Sequence, residues 1–273
     1  GLEKAGYNPK QFEPRKILST ISRAKGDAQS RIDFLSEASS YPARVTAEVW
    51  EHYERIMREE HALDFDDLLL KTLNLIRDYP VIREVLQKRF RYIHVDEYQD
   101  TNRVQFEIVR QLTGEARNLC VVGDVDQNIY SWRGADIANV QQFEKQFPGA
   151  KTVFLEENYR STKTIIAASN TVIAKNKARI PKTVFTENDT GEKITLHVAG
   201  SGAEEADYVV STCAELIANG ASPSDIAILY RTNFQSRVLE EAFLSYEIPY
   251  QLLGTKFFER KEVKDVLAFL RLS

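Results

Sequence analysis

Two adjacent acids, Asp96 and Glu97, follow an apolar run in "RYIHVDEYQDTN", residues 91–102, and Asp100 comes four residues after the first. Neighbouring carboxylates repel, and desolvating either one is costly. Two arrangements reconcile such a pair. It is either a solvated strand-to-helix turn, or a metal ligand beside a general base. Mg2+ keeps several of its waters and takes few protein oxygens, so one carboxylate of the pair is enough to hold it. Its neighbour can then orient and deprotonate a water that attacks a terminal phosphate.

Two later strings carry further candidates. "GDVDQNIYSWRGA", residues 123–135, contains Gln127, whose amide can both donate and accept hydrogen bonds. By residue type alone Gln127 is a polar residue that stabilises its own turn. Tyr130 and Trp132 in the same string stand two apart, which in an extended segment places both rings on one side, facing one groove. Trp132 as a core anchor is the competing reading. Arg133 can pair with an acid or reach a phosphate. In "LEENYRS", residues 155–161, Arg160 either pairs with Glu156 or Glu157 or faces a phosphate.

The elements that must position these residues follow from periodicity. Val45, Val49, Tyr53 and Ile56 repeat at helical spacing, Leu68, Leu69, Leu73 and Ile76 form a second apolar face, and Pro80 stops it. No strand is expected before residue 91. From there "RYIHV", "NLCVV", "TVFLE", "KITLHV", "DIAILY" and "PYQLL" read as strands alternating with helices, the last of them "KEVKDVLAFLRL". That alternation predicts parallel sheet covered on both faces, in two α/β units joined near residues 157–163. Ligands of such sheets bind beyond the carboxyl ends of strands, where Asp96, Glu97 and the "GDVDQ" string fall.

Composition narrows the classes. With 43% apolar and 28% charged residues the chain is ordinary for a globular protein. "GLEKAGYNPKQF" has no apolar core of a signal peptide, and no apolar run approaches the roughly 20 residues of a membrane helix. Four scattered histidines form no metal pair, and Cys120 and Cys213, set among apolar neighbours, read as buried free thiols in a reducing compartment. A net charge of −4 gives nucleic-acid binding no support, although such footprints are local. Residues 161–185 carry Lys163, Lys175, Lys177, Arg179 and Lys182 without an acid, as a solvated helix face or a nucleic-acid contact.

Taken together, "VDEYQDTN", "VVGDVDQNIYSWRGA" and "LEENYRS" resemble, in order and spacing, motifs II, III and IV of the UvrD/Rep/PcrA family of superfamily 1A DNA helicases. "ILYRTNFQSRVLEEAF" and "FFERKEVKDVLAFLRL" resemble that family's second motor domain, so the likeness covers essentially the whole chain. It implies an α/β fold made of parts of two RecA-like P-loop NTPase motor domains plus an N-terminal helical insertion. Residues 1–60 would be the insertion, 61–160 the remainder of the first motor domain, and 161–273 the first part of the second. The implied cofactors are ATP and Mg2+, with Asp96 on the metal, Glu97 as base, Gln127 sensing the γ-phosphate, Tyr159 stacking on adenine and Arg160 reaching the γ-phosphate. Tyr130, Trp132, Phe65, Arg133, Arg231 and Asn233 would meet DNA, although Phe65 in "LDFDDLL" can equally cap a small core.

The resemblance implies ATP-driven 3′–5′ movement along single-stranded DNA and at single-strand/duplex junctions, in a bacterial cytosol and without a membrane partner. One departure qualifies it: no G-x-x-x-x-G-K-[ST] occurs in the 273 residues, and that loop cradles the phosphates. The family's final motifs are missing as well. An internal fragment, inactive alone and completed by companion fragments of the same protein, is therefore expected. The alternatives are the motor part of a helicase–nuclease and a nucleic-acid-binding module that lost its P-loop.

Overall fold

The computed structural model describes residues 1–177 and 179–253, which fall into two compact units dividing after Glu192. The first unit opens with three helices, α1 (Pro14–Gly26), α2 (Arg31–Glu37) and α3 (Tyr41–Glu59). Pro14 and Pro42 sit in first turns, where a missing N–H is no loss. Ser30 and Ser40 cap α2 and α3, accepting from the backbone N–H of Asp33 and Ala43. Val45 and Val49, as their spacing predicts, are buried with Ile17, Ile21 and Trp50, and Tyr53 packs against that cluster.

Helix α4 (Phe65–Asp78) buries Leu73 and Ile76, but Leu68 is exposed, so the apolar face is narrower than its sequence suggests. Pro80 does end that helix, and it also starts the next, α5 (Pro80–Arg89). Strand β1 (Ile93–Val95) and strand β2 (Leu119–Val121) flank α6 (Arg103–Thr113) and pair in parallel, with Ile93 opposite Leu119 and Val95 opposite Val121. No strand precedes β1 among the described residues.

The sheet differs from expectation in two respects. His94 and Cys120 are register partners and both are exposed, so one face lies open and Cys120 is not a buried thiol. Cys213 is buried as expected. Secondly, "TVFLE", "KITLHV", "DIAILY" and "PYQLL" join no ladder among the described residues; the one isolated bridge, between Glu157 and Phe185, lies just after the first of them. A strand needs a neighbour about 4.8 Å away to exist as one, and β-rich composition supplies extension without supplying the neighbour. In "DIAILY" the alternation survives without the ladder: Ile226 and Ile228 pack inward and Leu229 is exposed.

The expected helix "IANVQQFEKQF" is two short pieces, α7 (Ala138–Gln141) and α8 (Phe143–Gln146), and α9 (Lys163–Ile173) closes the helical content of this unit. The second unit is built on α10 (Gly202–Ala218) and α11 (Ser236–Ser245), which enclose Ala206, Val210, Cys213, Ala242 and Phe243. The predicted helix "KEVKDVLAFLRL" lies outside the described residues.

A buried ion cluster fastens α1 to the start of α4. The Lys25 Nζ donates to Asp64 Oδ2 at 2.7 Å and to Asp67 Oδ1 at 2.9 Å, and the Tyr53 hydroxyl donates to Asp64 at 2.8 Å. Asp64 is also the N-cap of α4, accepting from the Asp67 N–H at 2.6 Å. Burial alone would push the Asp64 carboxyl up, but its hydrogen bonds, led by that from Lys25, hold it below the usual carboxylate range. Removing one partner strands the rest. Lys25→Met is expected to lower stability by about 3–5 kcal/mol in urea unfolding. Because the folded Asp64 sits below its unfolded value of about 3.9, its contribution is present at neutral pH and fades as pH falls below about 4. The wild-type advantage over the variant should shrink over that range.

Candidate functional site

Strand β1 ends at Val95, and the backbone reverses at once. The Tyr98 N–H reaches the Val122 carbonyl at 2.9 Å and the Val122 N–H reaches Val95 at 2.8 Å, prolonging the β1–β2 pairing past the strand ends. The reversal requires Glu97 to adopt a left-handed backbone, φ 49° and ψ 41°. For a residue with a Cβ this costs roughly 1–3 kcal/mol and persists where surrounding contacts over-determine it, often at functional sites. Here the contacts are visible. The Asp96 carboxylate accepts the Glu97 N–H at 2.9 Å, and Tyr98 is buried edge-on against Phe143 with ring centroids 5.7 Å apart. Burial pushes the Tyr98 phenol up to about 12. Both acids remain exposed to solvent at the carboxyl edge of the sheet.

Gln99 joins this turn to the next. Its side chain is buried, donating from Nε2 to Glu97 Oε2 at 2.7 Å and accepting at Oε1 from the Asp124 N–H at 2.9 Å. The Gln99 carbonyl accepts from Asn128 Nδ2 at 2.5 Å. Asp124 Oδ2 in turn accepts from the Gln127 side-chain amide at 2.8 Å. Glu97, Gln99, Asp124 and Gln127 thus form one hydrogen-bonded path across the ends of β1 and β2. Burial alone would raise the Asp124 carboxyl, but hydrogen bonds from Lys182, Gln127 and the Asp126 N–H hold it below the usual range.

Gln127 stabilises its own turn through Asp124, and the rest of its exposed amide faces outward. Trp132 is 66% exposed and is no core anchor. The segment carrying it is not extended: Ser131–Arg133 is a 3-10 turn, which still leaves the Tyr130 and Trp132 rings 6.3 Å apart at 49°. The Arg133 side chain lies outside what the structure describes. Phe65, first residue of α4, is 89% exposed and caps no core.

Tyr159 is 78% exposed, and its hydroxyl donates to Glu157 Oε2 at 2.8 Å; that carboxylate raises the phenol above its ordinary value. Arg160 is exposed and forms no ion pair with Glu156 or Glu157 among the described residues. No hydrogen bond or ion pair joins Tyr159 or Arg160 to Asp96, Glu97 or Gln127 among the described residues. In the second unit Arg231 is exposed, and the equally exposed Asn233 opens a 3-10 turn leading into α11.

The donor set favours a hydrated, oxygen-bound cation over a caged one. Among the described residues no group of three or more His, Cys, Asp or Glu side chains could cage an ion. A lone exposed carboxylate such as Asp96 fits Mg2+ held mainly by water and phosphate oxygens, and no closed site of the structural kind. A cavity of about 980 Å3, lined by Arg83, Gln87, Tyr92, Arg110 and Asn118 among others, opens before the strands rather than after them and touches none of these residues.

The UvrD/REP helicase N-terminal domain matches residues 2–148, and the UvrD-like helicase C-terminal domain matches residues 153–273. The chain belongs to the UvrD/REP helicase family. It is 47% identical over 272 residues to proteins named ATP-dependent DNA helicase PcrA from Staphylococcus aureus (strain Mu50) and Staphylococcus epidermidis (strain ATCC 12228). Those alignments take in 99% of this chain and 37% of each relative, so the chain spans just over a third of their length. No helix among the described residues is long and apolar enough to cross a membrane.

Sequence reasoning passed over Gln99, Asn128 and the partners of Asp124. The one available hint was an uncharged amide set inside an acidic string. Gly123 supports the same junction: a Cβ there would lie 2.6 Å from Gln99 Oε1 and 3.1 Å from the Tyr98 nitrogen. Gly123→Ala is therefore expected to cost about 1–3 kcal/mol in denaturant unfolding by displacing Gln99. Wild-type stability in that variant would show that the junction yields freely.

Proposed function

We propose that this chain supplies the acids, the phosphate-sensing amide and the DNA-facing aromatics of an ATP-dependent 3′–5′ DNA helicase and single-stranded-DNA translocase. The observation that carries the reading is the Glu97–Gln99–Asp124–Gln127 path, which makes the acidic turn and the "GDVDQ" turn a single device. The relatives' name, ATP-dependent DNA helicase, supports the same reaction.

In this reading Glu97 takes the proton of the attacking water, and the Gln99 amide fixes which Glu97 oxygen is occupied and which is free. Asp96 would hold Mg2+, which supplies charge neutralisation to the phosphates. Gln127, tethered to Asp124 through one N–H, offers its remaining N–H to the γ-phosphate and its carbonyl oxygen to the attacking water. Arg160 stabilises charge on the transferring phosphoryl group, and Tyr159 stacks on adenine. Trp132, Tyr130 and Phe65 stack on bases of the tracked strand, with Arg133, Arg231 and Asn233 on its backbone. Single-strand/duplex junctions are the proposed substrate. By its motifs the chain divides into a helical insertion over 1–60 and motor parts over 61–160 and 161–273.

Because these 273 residues contain no G-x-x-x-x-G-K-[ST], the phosphate cradle is proposed to come from a companion segment. The chain alone should then show no DNA-stimulated ATP turnover above background, and steady turnover by the purified chain would contradict this. In the ATP-hydrolysing protein, Glu97→Gln should retain nucleotide binding while turnover falls by about 10²–10⁴-fold. Undiminished turnover would remove Glu97 as the base. Trp132→Ala should weaken single-stranded-DNA binding by about 1–3 kcal/mol, read by fluorescence anisotropy with oligonucleotides of differing sequence.

A further inference from the structure

The basic stretch 161–185 is only partly a solvated face. Arg179 Nη2 pairs with Asp126 Oδ2 at 2.9 Å, and the Lys182 ammonium pairs with Asp124 Oδ1. All four side chains are largely buried. Arg179 also donates to the Lys182 carbonyl at 3.1 Å, folding the two cations into one short hook over the "GDVDQ" turn. The acid that Lys182 holds by one oxygen, Asp124, accepts the Gln127 amide with the other.

The residues immediately following are fastened elsewhere. The Thr183 N–H donates to Glu156 Oε1 at 3.1 Å, and the Phe185 N–H to the Glu156 carbonyl at 3.0 Å. Asn188 Nδ2 donates to the carbonyls of Tyr159 at 3.2 Å and Ser161 at 3.1 Å. Residues 179–188 are therefore a strap with one end on the Gln127 turn and the other on the loop carrying Tyr159 and Arg160.

We infer that Lys182 and Arg179 are positioning residues, which set the Gln127 amide and hold its turn in register with the Tyr159–Arg160 loop. Neither cation needs to touch nucleotide. Lys182 neutralises Asp124, so that the acid accepts from Gln127 instead of adding a third free negative charge beside Asp96 and Glu97. Charge-assisted hydrogen bonds between partly buried partners are the stronger kind, which suits them to fixing a turn. The inference rests on the reading of Gln127 and Arg160 as nucleotide-facing residues.

Two measurements test it. Hydrogen exchange on the 273-residue chain reads the strap without nucleotide: Lys182→Met should speed exchange of amides 124–128 by about tenfold, and Lys182→Arg should restore it. Unchanged exchange in Lys182→Met would overturn the strap, and Arg179→Met provides a second variant should the first fail to fold. In the ATP-hydrolysing protein, Lys182→Met should lower DNA-stimulated kcat by about tenfold with KM for ATP little changed, as expected for a group acting through Gln127. Gln127→Ala is the reference. If Gln127→Ala slows turnover and Lys182→Met does not, the positioning role is wrong. If Gln127→Ala itself leaves turnover unchanged, the nucleotide reading has failed instead.

Discussion

Everything at the carboxyl edge of the sheet depends on the side-chain amide of Gln99. A side-chain amide is uncharged and can donate to a carboxylate from its nitrogen while accepting a backbone N–H at its oxygen. Gln99 does both from a buried position, holding Glu97 with its nitrogen and the Asp124 N–H with its oxygen. A carboxylate there would repel Glu97, and an apolar side chain would leave the Asp124 N–H without its acceptor and Glu97 to solvent alone. The close approach of Gly123 is the steric counterpart of that hydrogen-bonded link.

From this link the rest of the chemistry acquires its geometry. The left-handed backbone of Glu97 is unfavourable by itself, and it is held by the Asp96 carboxylate, the buried Tyr98 and Gln99 acting together. The repulsion between Asp96 and Glu97 is eased because both carboxylates already accept hydrogen bonds and both face solvent. Asp124 is then the point at which four demands meet: a backbone N–H tied to Gln99, Oδ2 for Gln127, and Oδ1 shared by Lys182 and the Asp126 N–H. The aromatic pair Tyr130 and Trp132 follows on the same chain segment, a few residues from the Gln127 amide.

Much of this was legible before any coordinates. The acids, Gln127 and the aromatics are marked by residue type and spacing, and the long helices by an apolar period and their caps. What was not legible is non-local. Whether "KITLHV" becomes a strand depends on a neighbour, not on its valine and isoleucine content, and among the described residues it joins none. Cys120 is apolar in its setting and exposed in the fold because only one face of a two-stranded sheet is covered. Arg179 and Lys182 look like surface charge until Asp126 and Asp124, more than fifty residues earlier, are placed beside them. Trp132 sits on a 3-10 turn rather than an extended segment, since a glycine with φ 87° follows Arg133 and closes it.

The central claim is that Glu97 and Gln127 belong to one device joined through Gln99. A double-mutant cycle with Gln99→Met and Gln127→Ala, read as DNA-stimulated kcat in the ATP-hydrolysing protein, tests it most directly. Residues in one network should be coupled by about 0.5–3 kcal/mol, so that the double variant loses less activity than the two single losses combined. Losses that add to within about 0.3 kcal/mol would mean that the two turns act independently, and the account given for this site would be wrong.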